Sequence, residues 1–167
     1  IEFSIEGRTA HADTGLVHNS GDMSNLPAGE AYLAPDEETA GGVIVFEAAM
    51  AGLGKLGEEK IRVEVERGYA ADITGGDAAD KLVQLLKPHG QPARNLAELG
   101  VGTNDKARIT GMILEDEKIL GTVHLALGDN KSMGGSVGVA SHLDGLILEP
   151  SVWIDGEQIM KDGELLV

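Results

Sequence analysis

Cysteine is absent from this chain of 167 residues, which excludes a disulfide framework, a thiolate nucleophile and a cysteine-held zinc. Any metal must therefore be held by histidine and carboxylates. Basic residues are few: 13 Lys and Arg face 28 Asp and Glu, a net charge of -15, so the clustered cations that a nucleic-acid surface needs are lacking. The acidic excess favours solubility and, on charge alone, would suit a cationic ligand such as a free amino terminus. No apolar run approaches the ~20 residues of a membrane-spanning helix, so no membrane partner is expected. No export signal opens the chain, and a cytoplasmic location is expected. The first residue is Ile1 and not Met, as in a trimmed chain or the back part of a longer protein. Aromatics make up 3%, whereas 24 glycines imply many turns, close backbone approaches and β connections.

With 42% hydrophobic residues, this length buries one good core, so one domain over residues 1–167 is expected. The pattern predicts an α+β fold, a strand-rich mixed sheet or partial barrel with one or two helices and many turns. Ile1, Phe3 and Ile5 alternate with polar residues as in a half-buried strand. A further strand precedes Asp13-Thr14-Gly15, and the Asn-, Ser- and Gly-rich stretch from His18 to Glu30 reads as a long loop leading into a strand over Ala31 to Ala34. Gly42 to Phe46 and Ile61 to Arg67 read as strands. One helix is expected after Gly75-Gly76, with Asp77 as its N-cap and Ala79, Leu82, Val83 and Leu86 as an apolar stripe, ending at Pro88 and Gly90. A second helix is expected from about Asp105 through Met112. Val123 to Leu127, Gly145 to Leu148 and Val152 to Ile154 read as core strands, and Asp155-Gly156 and Asp162-Gly163 as hairpin turns.

The chemistry concentrates in His124-Leu-Ala-Leu-Gly and, eighteen residues on, His142-Leu-Asp144. In a strand, residues two apart share a face, so His142 and Asp144 would point into one site. His124 opens an otherwise apolar strand, and a buried imidazole needs a hydrogen-bond partner or a metal. Glu30 and Glu98 stand in Gly- and Asn-rich segments that read as strand-to-loop junctions. The mixed N/O set suits zinc, cobalt, manganese or iron. Other motifs have plainer readings. Asp13-Thr14-Gly15 occurs once, where an aspartic protease needs a pair of such carboxylates, and reads as a turn. Gly134 to Gly138 lacks a Walker lysine and reads as a flexible loop beside the site. His11, His18 and His89 are isolated. Glu115-Asp116-Glu117 reads as a solvated charge run with one member turned inward.

Five blocks occur in a telling order: Asn25-Leu-Pro-Ala-Gly-Glu30 with Tyr32, Ala34 and Pro35; Ala97-Glu98-Leu99-Gly100 with Gly102-Thr103-Asn104; Ile113 to Glu117; His124-Leu-Ala-Leu-Gly; and His142-Leu-Asp144. Together they resemble the carboxyl-terminal catalytic half of the thermophilic metallopeptidases, the aminopeptidase T, aminopeptidase S and PepS-like group, from about Ile1 to Leu148. The resemblance implies an amino-terminal α/β domain absent from this chain. It also implies a homodimer and two divalent ions, zinc or cobalt with manganese and magnesium as alternatives, on Glu30, Glu98, His124, His142 and Asp144. Glu98 would be the bridging carboxylate. Two ions ~3.5–4 Å apart can activate a water and polarise a scissile carbonyl, with Glu30 or Glu117 moving the proton. The peptidases carry a tyrosine shortly after the His-Ala-Leu-Gly block; here Asp129-Asn130-Lys131 stands instead, and Lys131 is the candidate positive donor.

The leading expectation is thus a metal-dependent aminopeptidase acting on peptides. A second reading is a mononuclear ring-cleaving dioxygenase, since the scaffold also resembles that of dihydroxypyridine dioxygenase. There, His124, His142 and Asp144 would form the facial triad of non-haem Fe(II), with Glu30 and Glu98 behind it, acting on a small molecule. A third is a non-catalytic metal-binding domain. One iron argues for the oxygenase, two zinc or cobalt ions for the peptidase.

Overall fold

The structure, a computed structural model, describes residues 1–166. In chain order the strands are β1 (His11–Asp13), β2 (Glu30–Leu33), β3 (Gly42–Phe46), β4 (Ala49–Met50), β5 (Gly54–Lys55), β6 (Ile61–Glu66) and β7 (Tyr69–Thr74). Helix α1 (Asp77–Leu86) follows, then β8 (Leu96–Gly102), the single-turn α2 (Ile113–Asp116), β9 (Thr122–Gly128) and β10 (His142–Leu148). The carboxyl end is a meander of β11 (Val152–Ile154), β12 (Glu157–Lys161) and β13 (Glu164–Leu165). A seven-stranded antiparallel sheet in the order β1-β2-β8-β9-β10-β4-β5 faces a second sheet, β3-β6-β7; the meander forms a third. This is the sheet-dominated α+β class that the sequence predicts, and among the described residues no sheet closes into a barrel.

The alternation along β6 sends Ile61, Val63 and Val65 inward and Arg62 and Glu66 out. They meet Ile44 and Phe46 of β3, Leu82 and Leu86 of α1, and Val123, Leu125 and Leu127 from one face of β9. Each such side chain contributes about 1.5–3 kcal/mol when fully buried. β9 is buried on both faces, so its other face, Thr122, His124 and Ala126, is free to build a site. The two Asp-Gly turns adopt positive φ at both residues, 51° and 81° at Asp155-Gly156 and 48° and 81° at Asp162-Gly163, as a two-residue antiparallel hairpin requires.

Several local expectations are corrected. Ile1 to Ile5 is not a strand: Glu2 makes one isolated bridge to Gly41, while Phe3 packs on the core. Helix α1 begins at Asp77 with Gly76 at the cap position, and Glu59 accepts from the Ala78 N–H, 2.8 Å away. Residues 105–112 form no helix. The Asn104 side chain takes the Lys106 and Ala107 N–H groups and Asp116 takes those of Thr110 and Gly111, so side-chain acceptors claim the donors a helix would use. The helical turn comes just after, at α2. No helix among the described residues is long and apolar enough to cross a membrane.

Candidate metal centre

Four adjacent strands, β2, β8, β9 and β10, bring the candidate residues together on the face of the large sheet opposite the core. Glu98 on β8, Ala126 on β9 and Asp144 on β10 form one cross-strand row, with the small Ala126 leaving room between the two carboxylates. In the neighbouring row Gly100 pairs with His124, and a Cβ on Gly100 would lie 1.9 Å from His124 Nε2. Glycine there is what lets the imidazole lie over the sheet. Glu98 is not at a strand-to-loop junction, as its surroundings in sequence suggest, but inside β8. A bulge between Leu96 and Glu98 changes the alternation, so Leu96 faces the core while Glu98 faces the site. Glu30 opens β2 directly from the long loop, as expected, and pairs with Gly102.

Glu98 joins the two imidazoles: its Oε1 lies 3.3 Å from His124 Nε2 and its Oε2 2.9 Å from His142 Nε2. Glu30 Oε2 is 3.3 Å from His124 Nε2, and Asp144 Oδ1 is 3.2 Å from His142 Nε2. His142 donates from Nδ1 to the Asp129 carbonyl at 2.7 Å, which fixes the ring and turns Nε2 toward the carboxylates. Burial raises the Glu98 carboxyl, yet hydrogen bonds from both imidazoles outweigh it and hold Glu98 down at about 2. Burial likewise disfavours charge on the imidazoles, but the surrounding carboxylates push His124 up to about 10 and His142 to about 11. So dense a carboxylate cluster demands positive charge.

The donor set fits a divalent cation. His124 Nδ1 and Glu30 Oε2 are buried with no hydrogen-bond partner among the described residues. Ligand atoms of Glu30, Glu98 and His124, of Glu98, His142 and Asp144, and of Glu117, His124 and Asp144 lie within 4.8 Å of one another in each group. Oxygen and imidazole nitrogen donors without sulfur suit iron, manganese, cobalt or zinc.

The sequence reading missed Lys118. It is fully buried, its Nζ 2.6 Å from Glu30 Oε1, 2.5 Å from Glu117 Oε1 and 3.8 Å from Asp13 Oδ2. Burial opposes its charge, but Glu117 and Glu30 together raise its pKa. Glu117 is raised to about 7, first by burial and then by Asp144, against the pull of Lys118. In place of one inward residue, the charge run turns Asp116, Glu117 and Lys118 all inward, because α2 ends there. Asp13 is not a turn residue, as its Asp-Thr-Gly triplet suggests, but ends β1 opposite Glu30 and belongs to this rim. Lys131 lies in a short 3₁₀ turn, exposed, and its ammonium makes no ion pair among the described residues. The loop around it is built and not merely flexible: buried Asn130 accepts from the Val137 N–H and donates to Glu37, which also accepts from Ser136 and pairs with Arg8.

Against known proteins, the family model described as NicX: 2,5-dihydroxypyridine 5,6-dioxygenase matches residues 1–167. The chain belongs to the NicX family. The 2,5-dihydroxypyridine 5,6-dioxygenase of Pseudomonas putida is 23% identical over 169 residues, 94% of this chain and 48% of that protein. This NicX-family chain therefore spans about half the length of the curated relative it matches. The solved structure of 2,5-dihydroxypyridine dioxygenase from Pseudomonas putida KT2440 superposes with a TM-score of 0.76 at 21% identity, over 82% of this chain and 43% of that one. Wild-type AmpT from Thermus thermophilus superposes at 0.71 and 22% identity, over 96% and 45%. At such identities both structures speak to the fold, which NicX members share with AmpT. The structural relation to the aminopeptidases is thus real, but the aminopeptidase reading, with its hydrolase and protease chemistry, is overturned: the family model covering the whole chain describes an oxidoreductase.

Proposed function

We propose that this chain carries the metal centre of a mononuclear non-haem Fe(II) dioxygenase that opens the ring of a dihydroxypyridine-like substrate. The observation that carries the reading is the match of the NicX family model over the full chain, together with two imidazoles and a carboxylate on one sheet face. His124, His142 and Asp144 would hold the iron, a two-histidine, one-carboxylate set. When bound, Fe(II) supplies the one-electron chemistry that lets ground-state O2 react with an electron-rich aromatic ring.

The chain's own residues orient and neutralise. In the metal-free protein Glu98 accepts from Nε2 of both imidazoles and keeps them aligned toward one another; those hydrogen bonds would be given up when the same nitrogens turn to the metal. The Asp129 carbonyl keeps the Nδ1 proton on His142, so Nε2 is the donor atom. Lys118 balances the charge of Glu30 and Glu117 in a site otherwise crowded with anions. Glu117, poised near 7, changes protonation with little driving force at neutral pH. With Oε1 taken by Lys118, its Oε2 is the atom suited to accept a proton from an acidic ring hydroxyl.

An oxygen electrode tests the proposal. The full-length protein loaded anaerobically with Fe(II) should consume O2 when 2,5-dihydroxypyridine is added, and an iron-replete protein that consumes none contradicts it.

A further inference from the structure

We infer that Tyr32, backed by His11, is a specificity-determining wall of the substrate subsite, against which a planar aromatic or N-heteroaromatic ring stacks beside the metal ligands. The inference rests on the dioxygenase reading above and deepens it. The cross-strand row through His124 runs His11, Tyr32, Gly100, His124 over β1, β2, β8 and β9. Side chains in one such row project from the same face of the sheet. Gly100 contributes none, and the His124 imidazole occupies the space its Cβ would take. Tyr32 is therefore the next side chain beyond that imidazole, with only backbone between them.

His11 covers one face of the tyrosine ring, with centroids 5.4 Å apart and planes at 29°. Because His11 comes from β1, on the outer side of β2, the other ring face is turned toward β8, the Gly100 gap and His124. Tyr32 is half-buried, so this face is not sealed within the core. Aromatic rings prefer offset stacking at ~4.5–7 Å between centroids, so a flat substrate ring fits there as His11 does on the opposite side. The chain's other aromatics stand elsewhere. Phe46 is in the core, Phe3 packs against that core, Tyr69 belongs to the second sheet, and Trp153 is exposed on the carboxyl-terminal meander. In a chain so poor in aromatics, the single one on the metal face is a selective feature for a flat, electron-rich substrate and gives nothing to an aliphatic one.

The test is anaerobic titration calorimetry of 2,5-dihydroxypyridine into the full-length, iron-loaded protein and its Tyr32→Phe and Tyr32→Leu variants, with iron content and KM measured alongside. Tyr32→Leu should weaken binding and raise KM about tenfold, while Tyr32→Phe, which keeps the ring, stays within about threefold, both retaining wild-type iron. Unchanged affinity in Tyr32→Leu overturns the inference. Equal losses in Phe and Leu assign the effect to the hydroxyl and overturn it too, and loss of iron from Tyr32→Leu overturns it in favour of a structural role. Failure of the dioxygenase reading looks different: a wild-type protein that binds the ring yet consumes no O2.

Discussion

Single residues decide whether this site exists. Gly100 is the sharpest case, since a methyl group there would collide with His124 Nε2. Gly100→Ala should displace the imidazole and lower iron affinity by at least about tenfold, comparable to losing a metal-orienting partner, as a chelator competition would show. Lys118 is equally exposed to test. Lys118→Met leaves Glu30 and Glu117 buried without their cation and should cost about 3–5 kcal/mol in denaturant unfolding. That cost should shrink as pH falls, because Glu117, already raised by burial and Asp144, loses the lowering pull of Lys118 in the variant and takes up its own proton more readily. His142-x-Asp144 was legible in the sequence because strand geometry puts residues two apart on one face. Lys118 was not, because a Glu-Asp-Glu-Lys run ordinarily marks a solvated surface, and nothing local shows that one helical turn will bury it.

At the scale of elements, β8, β9 and β10 set the spacing of the candidate ligands, and the loop between β9 and β10 aims one of them. Asn130 braces that loop, and the adjacent Asp129 carbonyl holds His142. Asn130→Ala should therefore weaken iron binding by about ten- to a hundredfold, the range seen when partners of metal-bound histidines are removed. Metal titration by competitive chelation checks this, with circular dichroism confirming that the sheets persist. The elements themselves were largely readable from alternation: β3, β6, β9, β11 and both Asp-Gly turns fall where the pattern places them. The bulge in β8 was not readable, because one extra residue leaves no compositional mark while reversing which side chains face the site. Glu98 consequently looked like a loop-edge residue. The 105–112 segment departs from its helical pattern for a related reason, as its backbone donors are claimed by Asn104 and by Asp116, the latter several residues further along the chain.

Over the whole molecule, fold and chemistry separate. The same arrangement of strands superposes on a dihydroxypyridine dioxygenase and on AmpT, so motifs that mark the scaffold and its metal face lead to two chemistries with equal ease. The family match along the full chain is to a dioxygenase family, and the oxidative reading proposed above rests on it. In the metal-free protein the carboxylates of the site are balanced by Lys118 and by the two imidazoles. With His124 and His142 held at about 10 and 11, both imidazoles carry protons at neutral pH in the metal-free protein. Their raised values stabilise the metal-free fold below the ordinary histidine range, and this contribution is lost as pH rises through 10 and 11. Iron held by both imidazoles, as proposed, would displace those protons, so uptake near pH 7 should release about two protons per ion, and calorimetry in buffers of different ionisation enthalpy would count them. The most direct test of the central claim is the fate of labelled oxygen. Full-length, iron-loaded protein turning over 2,5-dihydroxypyridine under ¹⁸O2 should place both labelled atoms in the ring-opened product. A product that carries no ¹⁸O, its new oxygens coming from the unlabelled water, would contradict the account.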